Sequence, residues 1–161
     1  MSPNMTKASS FDEFTWYNLD LKLKYYYKNL TPYKISKEYQ GEFPNKKHLY
    51  LYGETPLDIY EKIATKWLLK PNDRFLELGS GIGRGGFFLS SFFYCRYVGV
   101  EWIERYTKFA QNLKKMHRLE NVDFECRDMY EISFENFDWI YLFGSCLKDP
   151  EIEKLCDKFS K

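Results

Sequence analysis

The sequence predicts a doubly wound α/β fold, a parallel sheet with helices on both faces. Two observations carry this. From Thr55 onward, amphipathic helical stretches alternate with apolar runs of strand length. A glycine-rich loop at residues 79–86 joins the first such run to the next helix. Parallel strands need crossovers, and right-handed crossovers bring helices onto both faces. Ligands of such sheets bind beyond the carboxyl ends of the strands, near the point where the strand order reverses. The residues just after each strand are therefore the ones to inspect.

Taken in order, residues 1–10 read as a loose terminus. Over 11–30, Phe11, Phe14, Trp16, Leu19, Leu23, Tyr26, Tyr27 and Leu30 roughly fit a helical stripe, while Leu19, Leu21, Leu23 and Tyr25 alternate with polar residues as a strand would; helix is the favoured reading. Thr31 as cap, Pro32 at the first helical position and Gly41 past the end predict a helix over 32–40. Thr55 as cap and Pro56 start another, with Leu57, Tyr60, Ile63, Ala64, Trp67 and Leu68 on one face and Pro71 as stop. Strands follow at 74–78, 97–100, 122–126 and 139–143. Helices lie between them, at about 87–94 and 103–117, the second with Ile103, Tyr106, Ala110 and Leu113 on one face. Asp149 and Pro150 open a last helix with Ile152, Leu155, Cys156 and Phe159 inward. The division this implies is an N-terminal, mostly helical extension over 1–54 and the α/β unit over 55–161.

Composition narrows the function classes. The chain has 161 residues, 44% of them hydrophobic, which suits one folded domain with a real core. The net charge of +1 supplies no field that would gather nucleic acid. Residues 1–52 carry eight Lys against five acids, and 53–161 carry sixteen basic against eighteen acidic groups. The N-terminal excess reads as a solvated face. Cys95, Cys126, Cys146 and Cys156 form no C-x-x-C pair and no metal-ligand spacing. With no leader-like start and no apolar run of membrane-spanning length, a reducing cytoplasm is the expected location.

The loop reads Phe75-Leu76-Glu77-Leu78-Gly79-Ser80-Gly81-Ile82-Gly83-Arg84-Gly85-Gly86. Glycines there let a ligand lie against the backbone, and the helix start offers free N–H groups. Gly81 to Gly86 matches the G-x-G-x-x-G of dinucleotide folds. That register leaves Gly79 and Ser80 in the strand and buries Glu77 inside it, which is costly without a partner. The other register starts the loop at Gly79. Glu101, 22 residues beyond Gly79, ends the second strand and is placed to accept ribose hydroxyls in either case.

Read from Gly79, the loop resembles motif I of class I S-adenosylmethionine (SAM)-dependent methyltransferases. The resemblance implies a Rossmann-like sheet and SAM as cofactor, held by Gly79, Ser80, Gly81 and Gly83. It implies that Glu77 favours the cationic amino-acid end. Glu101, with Trp102 beside it, takes the ribose, and Asp128 and Met129 take the adenine. Upstream, Tyr52-Gly53-Glu54-Thr55 precedes the loop by about 25 residues. With Gly99-Val100-Glu101, this segment is similar to the non-SET histone lysine methyltransferases linked to telomeric silencing, and to related bacterial and mitochondrial lysine methyltransferases. That family folds the segment over the methionine end of SAM, which assigns Tyr52, Glu54 and Thr55 to the cofactor. The resemblance spans roughly residues 50–160.

The sequence also departs from the family. Paired asparagines follow the fourth strand there; here Phe143-Gly144-Ser145-Cys146 follows it. The Gln after the third loop glycine is Arg84. The post-strand stretch also lacks the motif of base N-methyltransferases, which argues against a flipped base. A protein lysine is the favoured acceptor, with a small molecule as the other possibility. Its walls are expected among Tyr52, Phe143, Tyr25, Tyr26 and Tyr27, and no catalytic side chain is assigned. Cys146 reads as a packed thiol, since neither His48 nor His117 is placed beside it by a motif. A SAM- or nucleotide-binding module without activity and an NAD-linked oxidoreductase are the competing readings. Because the resemblance implies seven strands and the chain supplies four, the reading also expects a C-terminally truncated methyltransferase.

Overall fold

The computed structural model describes the backbone of residues 10–159 and the side chains of residues 14–159. The terminus expected over residues 1–9 and the contact expected of Phe11 lie outside the described residues. Two helices come first, α1 (Ser10–Tyr26) and α2 (Pro32–Glu42), and a 3-10 stretch at Pro44–Tyr50 follows. Then come α3 (Leu57–Lys66), β1 (Arg74–Leu78), α4 (Arg84–Phe92) and β2 (Arg96–Glu101). The remainder is α5 (Glu104–His117), β3 (Val122–Cys126), a single 3-10 turn at Met129–Glu131, β4 (Trp139–Leu142) and α6 (Asp149–Phe159).

The four strands form one parallel sheet in the order β3-β2-β1-β4. The chain walks outward from β1 to β3, then returns to the other side of β1 as β4. The reversal lies between β1 and β4, so their carboxyl ends open the crevice where ligands bind in such sheets. Strand alternation sends Phe75 and Glu77 to one face and Leu76 and Leu78 to the other. The first face carries the larger core, in which Phe75, Tyr97, Phe87 and Phe124 meet side chains of α1, α3 and α5. The second face is smaller, with Leu76, Leu78, Val100 and Ile132 under Leu155 of α6. The N-terminal helices are part of this packing, since Leu19, Leu23 and Ile35 are fully buried.

Several local expectations are corrected. Thr31 does cap α2, accepting from Lys34 N at 3.3 Å. Gly41 falls inside the last turn of α2 rather than beyond it. Thr55 does not cap α3; its hydroxyl instead meets the Tyr141 hydroxyl at 3.2 Å, across the sheet end. Helix α3 stops at Lys66, so Trp67 and Leu68 leave its inner face, and Trp67 stacks on Trp139. Helix α4 starts three residues earlier than read, directly after Gly83. On α6 only Leu155 is buried, while Ile152, Cys156 and Phe159 face outward or pack at the edge. Cys126 is exposed, because β3 is an edge strand at that end. Among the described residues no helix is long and apolar enough to cross a membrane.

Candidate active site

The loop after β1 turns at Gly79, as the second register requires. Gly79 N and Ser80 N both donate to Val100 O, at 2.8 and 3.0 Å, which ends the strand pairing with a tight turn. Gly79, Gly81 and Gly83 all take left-handed φ values of 80°, 54° and 80°, a region that penalises any side chain. The two following glycines answer a different need. A Cβ on Gly85 would lie 2.3 Å from Tyr60, and one on Gly86 would lie 2.2 Å from Tyr97. Their absence lets α4 sit directly on α3 at Gly85 and on the sheet at Gly86.

Those two tyrosines meet beneath the loop. The Tyr60 hydroxyl donates to Glu77 Oε1 at 2.6 Å and the Tyr97 hydroxyl to Oε2 at 2.5 Å. Glu77 is therefore a buried but satisfied carboxylate. Burial pushes its pKa up to about 7 even though both hydroxyls oppose that shift. The sequence assigned Glu77 to the cationic end of a ligand. The structure places it on the pocket floor, with one bond already made to each oxygen. The opposing position on β2 is Gly99, and this gap admits Ser80, whose Cβ and Oγ lie 2.7 Å from where a Gly99 Cβ would stand.

Glu101 closes the other side. Its Oε2 accepts from Gly81 N at 2.9 Å, and its Oε1 accepts from Trp102 N and Ile103 N at 2.8 Å each. It thus ties the glycine loop to the start of α5 and keeps lone pairs for a ligand. Desolvation raises its pKa against the pull of these three N–H groups. Asp128 accepts from Tyr130 N at 2.9 Å, fixing the turn that carries Met129.

Residues 51–56 cross the front of the pocket as a strap. Tyr52 N donates to Ser36 Oγ at 3.2 Å, and the Tyr52 ring packs edge-on against Tyr106. That ring covers Gly81, where a Cβ would lie 3.1 Å from it. Glu54 is held by Arg84, with Nη1 to Oε1 at 2.8 Å. Gly53 comes to within 3.9 Å of Phe143 and Ser145 at the position of its missing Cβ. The strap and the segment after β4 therefore meet over the crevice.

One pocket collects twelve of the thirteen residues singled out from the sequence: Tyr52, Glu54, Thr55, Glu77, Gly79, Ser80, Gly81, Glu101, Trp102, Asp128, Met129 and Phe143. Gly83 is the exception. It holds the N-terminus of α4 against Phe124, where a Cβ would lie 2.5 Å from the ring. Tyr25, Tyr26 and Tyr27 do not reach the pocket. They lie at the far end of α1, where Tyr25 is exposed, Tyr26 stacks on Phe109 at 3.5 Å and Tyr27 is buried. Sequence reasoning missed Tyr106, Arg84 and Leu51 as lining residues. Tyr106 was legible only as a core position of α5, and its hydroxyl in fact donates to Pro32 O at 2.6 Å. Cys146 lines the pocket, but burial raises its thiol pKa. His48 is committed to Glu151 at 3.0 Å, and neither it nor His117 lines the pocket with that thiol. Among the described residues no group of three His, Cys, Asp or Glu gathers as metal ligands.

The pocket's chemistry fits SAM. Four carboxylates line it (Glu54, Glu77, Glu101 and Asp128) against two guanidiniums. Both guanidiniums are occupied, Arg84 by Asp20 and Glu54, Arg127 by Glu125 and the Glu131 carbonyl. The Ser80 hydroxyl is buried there with no partner, an orphan that a polar ligand atom would satisfy.

Strand order, glycine loop and acidic pocket define a class I SAM-dependent methyltransferase fold. An RNA methyltransferase from Salinibacter ruber, in complex with S-adenosyl-L-homocysteine, matches with a TM-score of 0.52 at 23% identity. The match covers 56% of this chain and 60% of that one. A SAM-dependent methyltransferase from Aquifex aeolicus gives 0.50 at 20% identity, over 60% of this chain and 55% of that one. Its matched part thus spans little more than half the length of these enzymes. No curated protein matches the sequence. The family described as histone methylation protein DOT1 matches residues 37–158, and the chain belongs to that family.

Proposed function

We propose that this chain binds SAM at the carboxyl end of its sheet and transfers the methyl group to a lysine side chain of a protein. The charge of the pocket carries the cofactor assignment. A pyrophosphate would meet Glu101 and Asp128, neither of them paired with a cation, and no uncommitted guanidinium, whereas a ligand with a sulfonium and an ammonium is favoured there. The DOT1 family's description as histone methylation proteins supports a protein acceptor.

In this reading Glu101 takes the ribose hydroxyls, Asp128 and Met129 face the adenine, and the strap covers the amino-acid end. SAM would supply a methyl carbon made electrophilic by the adjoining sulfonium. The acceptor nitrogen's lone pair forms the new C–N bond as the C–S bond breaks, and the nitrogen's extra proton passes to water. The protein's share is positioning and exclusion of water. Leu51 and Phe143 are exposed at the mouth, on the strap and after β4 respectively. They offer apolar contact to a lysine's methylene stem, and their desolvation favours the neutral amine.

Incubation with tritiated SAM and cell lysate, followed by acid hydrolysis of the labelled protein, tests the acceptor. Label is expected as methyllysine; label confined to RNA or small molecules overturns that part. Calorimetric titration with SAM and with NAD tests the cofactor, and NAD binding without SAM binding refutes it.

A further inference from the structure

Arg84 occupies a position that the cofactor site alone does not explain. It is the first residue of α4, immediately beyond the glycine loop, and it lines the pocket. Its guanidinium nonetheless reaches sideways to two carboxylates from distant parts of the chain. Nε donates to Asp20 Oδ1 at 2.7 Å, and Nη1 donates to Glu54 Oε1 at 2.8 Å. Asp20 belongs to α1 and also receives Lys24 Nζ at 2.6 Å. Burial works against the charges on Asp20 and Arg84, but their ion pairing outweighs it, so both stay ionised. The Asp20 side chain is only 13% exposed and Arg84 25%, so solvent screens the contact less than at an open surface.

Around it, α1 is anchored. Leu19 and Leu23 are fully buried and Trp16 packs edge-on against Phe88 of α4. Asp20 is thus a fixed carboxylate on a fixed helix. Glu54 is the exposed end of the chain of contacts, on a strap whose other polar ties are to Ser36 and Tyr141. Asp20 lies outside residues 37–158, the span matched by the family.

We propose that Arg84 is a positioning residue that fastens the strap at residues 52–55 to helix α1, so that cofactor retention depends on an N-terminal helix outside the family's matched span. Asp20 orients the guanidinium, and the oriented guanidinium holds Glu54 and with it the strap over the glycine loop. The dependence on cofactor rests on the SAM reading above; the fastening of the strap does not.

Two measurements on the full chain separate these. Hydrogen exchange of the backbone amides at residues 52–55, without ligand, reads the strap alone. Calorimetric titration with SAM reads retention. Asp20→Asn is expected to speed exchange at 52–55 and to raise the SAM Kd about two- to fivefold, the scale of one partly screened ion pair. Arg84→Gln is expected to do the same, and the double variant to add little, because both act through one guanidinium. A SAM-binding protein in which Asp20→Asn changes neither readout overturns the proposal. So does a raised Kd with unchanged exchange, or Arg84→Gln weakening SAM where Asp20→Asn does not, since Arg84 would then act on the ligand directly. If the parent binds no SAM, the cofactor reading fails, while the exchange data still decide whether α1 holds the strap. Thermal melts of both variants show whether either is unfolded, and the other then carries the test.

Discussion

Glu77 and Glu101 are two carboxylates at the ends of neighbouring strands with opposite duties. Glu101 faces backbone N–H groups and keeps capacity for a ligand. Glu101→Ala is expected to weaken SAM binding by about 1–3 kcal/mol, the cost of stranding polar partners in a buried site. Calorimetry checks this, and an unchanged Kd would remove Glu101 from the ribose. Glu77 is clamped by hydroxyls in the interior, and its effect is on pH-dependent stability. Its pKa rises from 4.5 in the unfolded chain to about 7 in the fold. The folded state therefore binds this proton more tightly. The stability it contributes is full below about pH 4.5 and is lost as pH rises through about 7. Glu77→Gln, which cannot ionise, is expected to lessen the fall in stability between pH 5 and pH 8 by on the order of 3 kcal/mol. Urea unfolding at the two pH values reads the difference; equal slopes for parent and variant would refute it.

At the scale of elements, the decisive contact is α4 against the sheet. Gly86 lies so close to Tyr97 that even a methyl group overlaps the ring. The ring has little freedom to retreat, because its hydroxyl is bound to Glu77 and its face stacks on Phe75 at 6.0 Å. Gly86→Ala raises helix propensity by roughly 1 kcal/mol, yet overpacking of this kind costs about 1–3 kcal/mol. A net loss of stability is expected, and adding Tyr97→Leu is expected to deepen it, because that change strands Glu77 Oε2 without its donor. Denaturant midpoints measure both, and a Gly86→Ala protein as stable as its parent would contradict the close approach. Elements also show where local rules yield to tertiary contacts. Thr31 caps α2 as its sequence predicts, whereas Thr55, in the same Thr-Pro context, gives its hydroxyl to Tyr141. The Thr-Pro pair is identical in both places, but Pro32 opens α2 whereas Pro56, with ψ at 144°, stays outside α3 and leaves Thr55 facing Tyr141 of β4.

Across the whole molecule, the N-terminal helices share one core with the sheet, and the strap and the sheet's carboxyl end line one pocket. Ligand that binds only the folded state stabilises it by mass action, by about 2.7 kcal/mol at a hundredfold excess over Kd. SAM is therefore expected to raise the melting temperature in a concentration-dependent way, and NAD to leave it unchanged. The His48–Glu151 pair, at 3.0 Å, joins the Pro44–Tyr50 stretch to α6.

By itself the sequence determined the fold class and the strand positions to within a residue or so, and twelve of the thirteen residues it singled out line one pocket. Hydrophobic periodicity and glycine spacing are local signals, and in a doubly wound sheet a residue just after a strand reaches the crevice automatically. Gly83 shows the limit of that logic, since a loop glycine can serve the fold rather than the ligand. Tertiary structure alone decided what the side chains do once they arrive. Glu77 finds Tyr60 and Tyr97, Arg84 finds Asp20 64 residues earlier, and Tyr25, Tyr26 and Tyr27 do not line the pocket, although Tyr27 packs edge-on against Tyr106, which does. Each of these outcomes depends on which distant element supplies the facing surface. Burial makes that choice, because a buried charge or hydroxyl must take whichever partner the packing brings within reach.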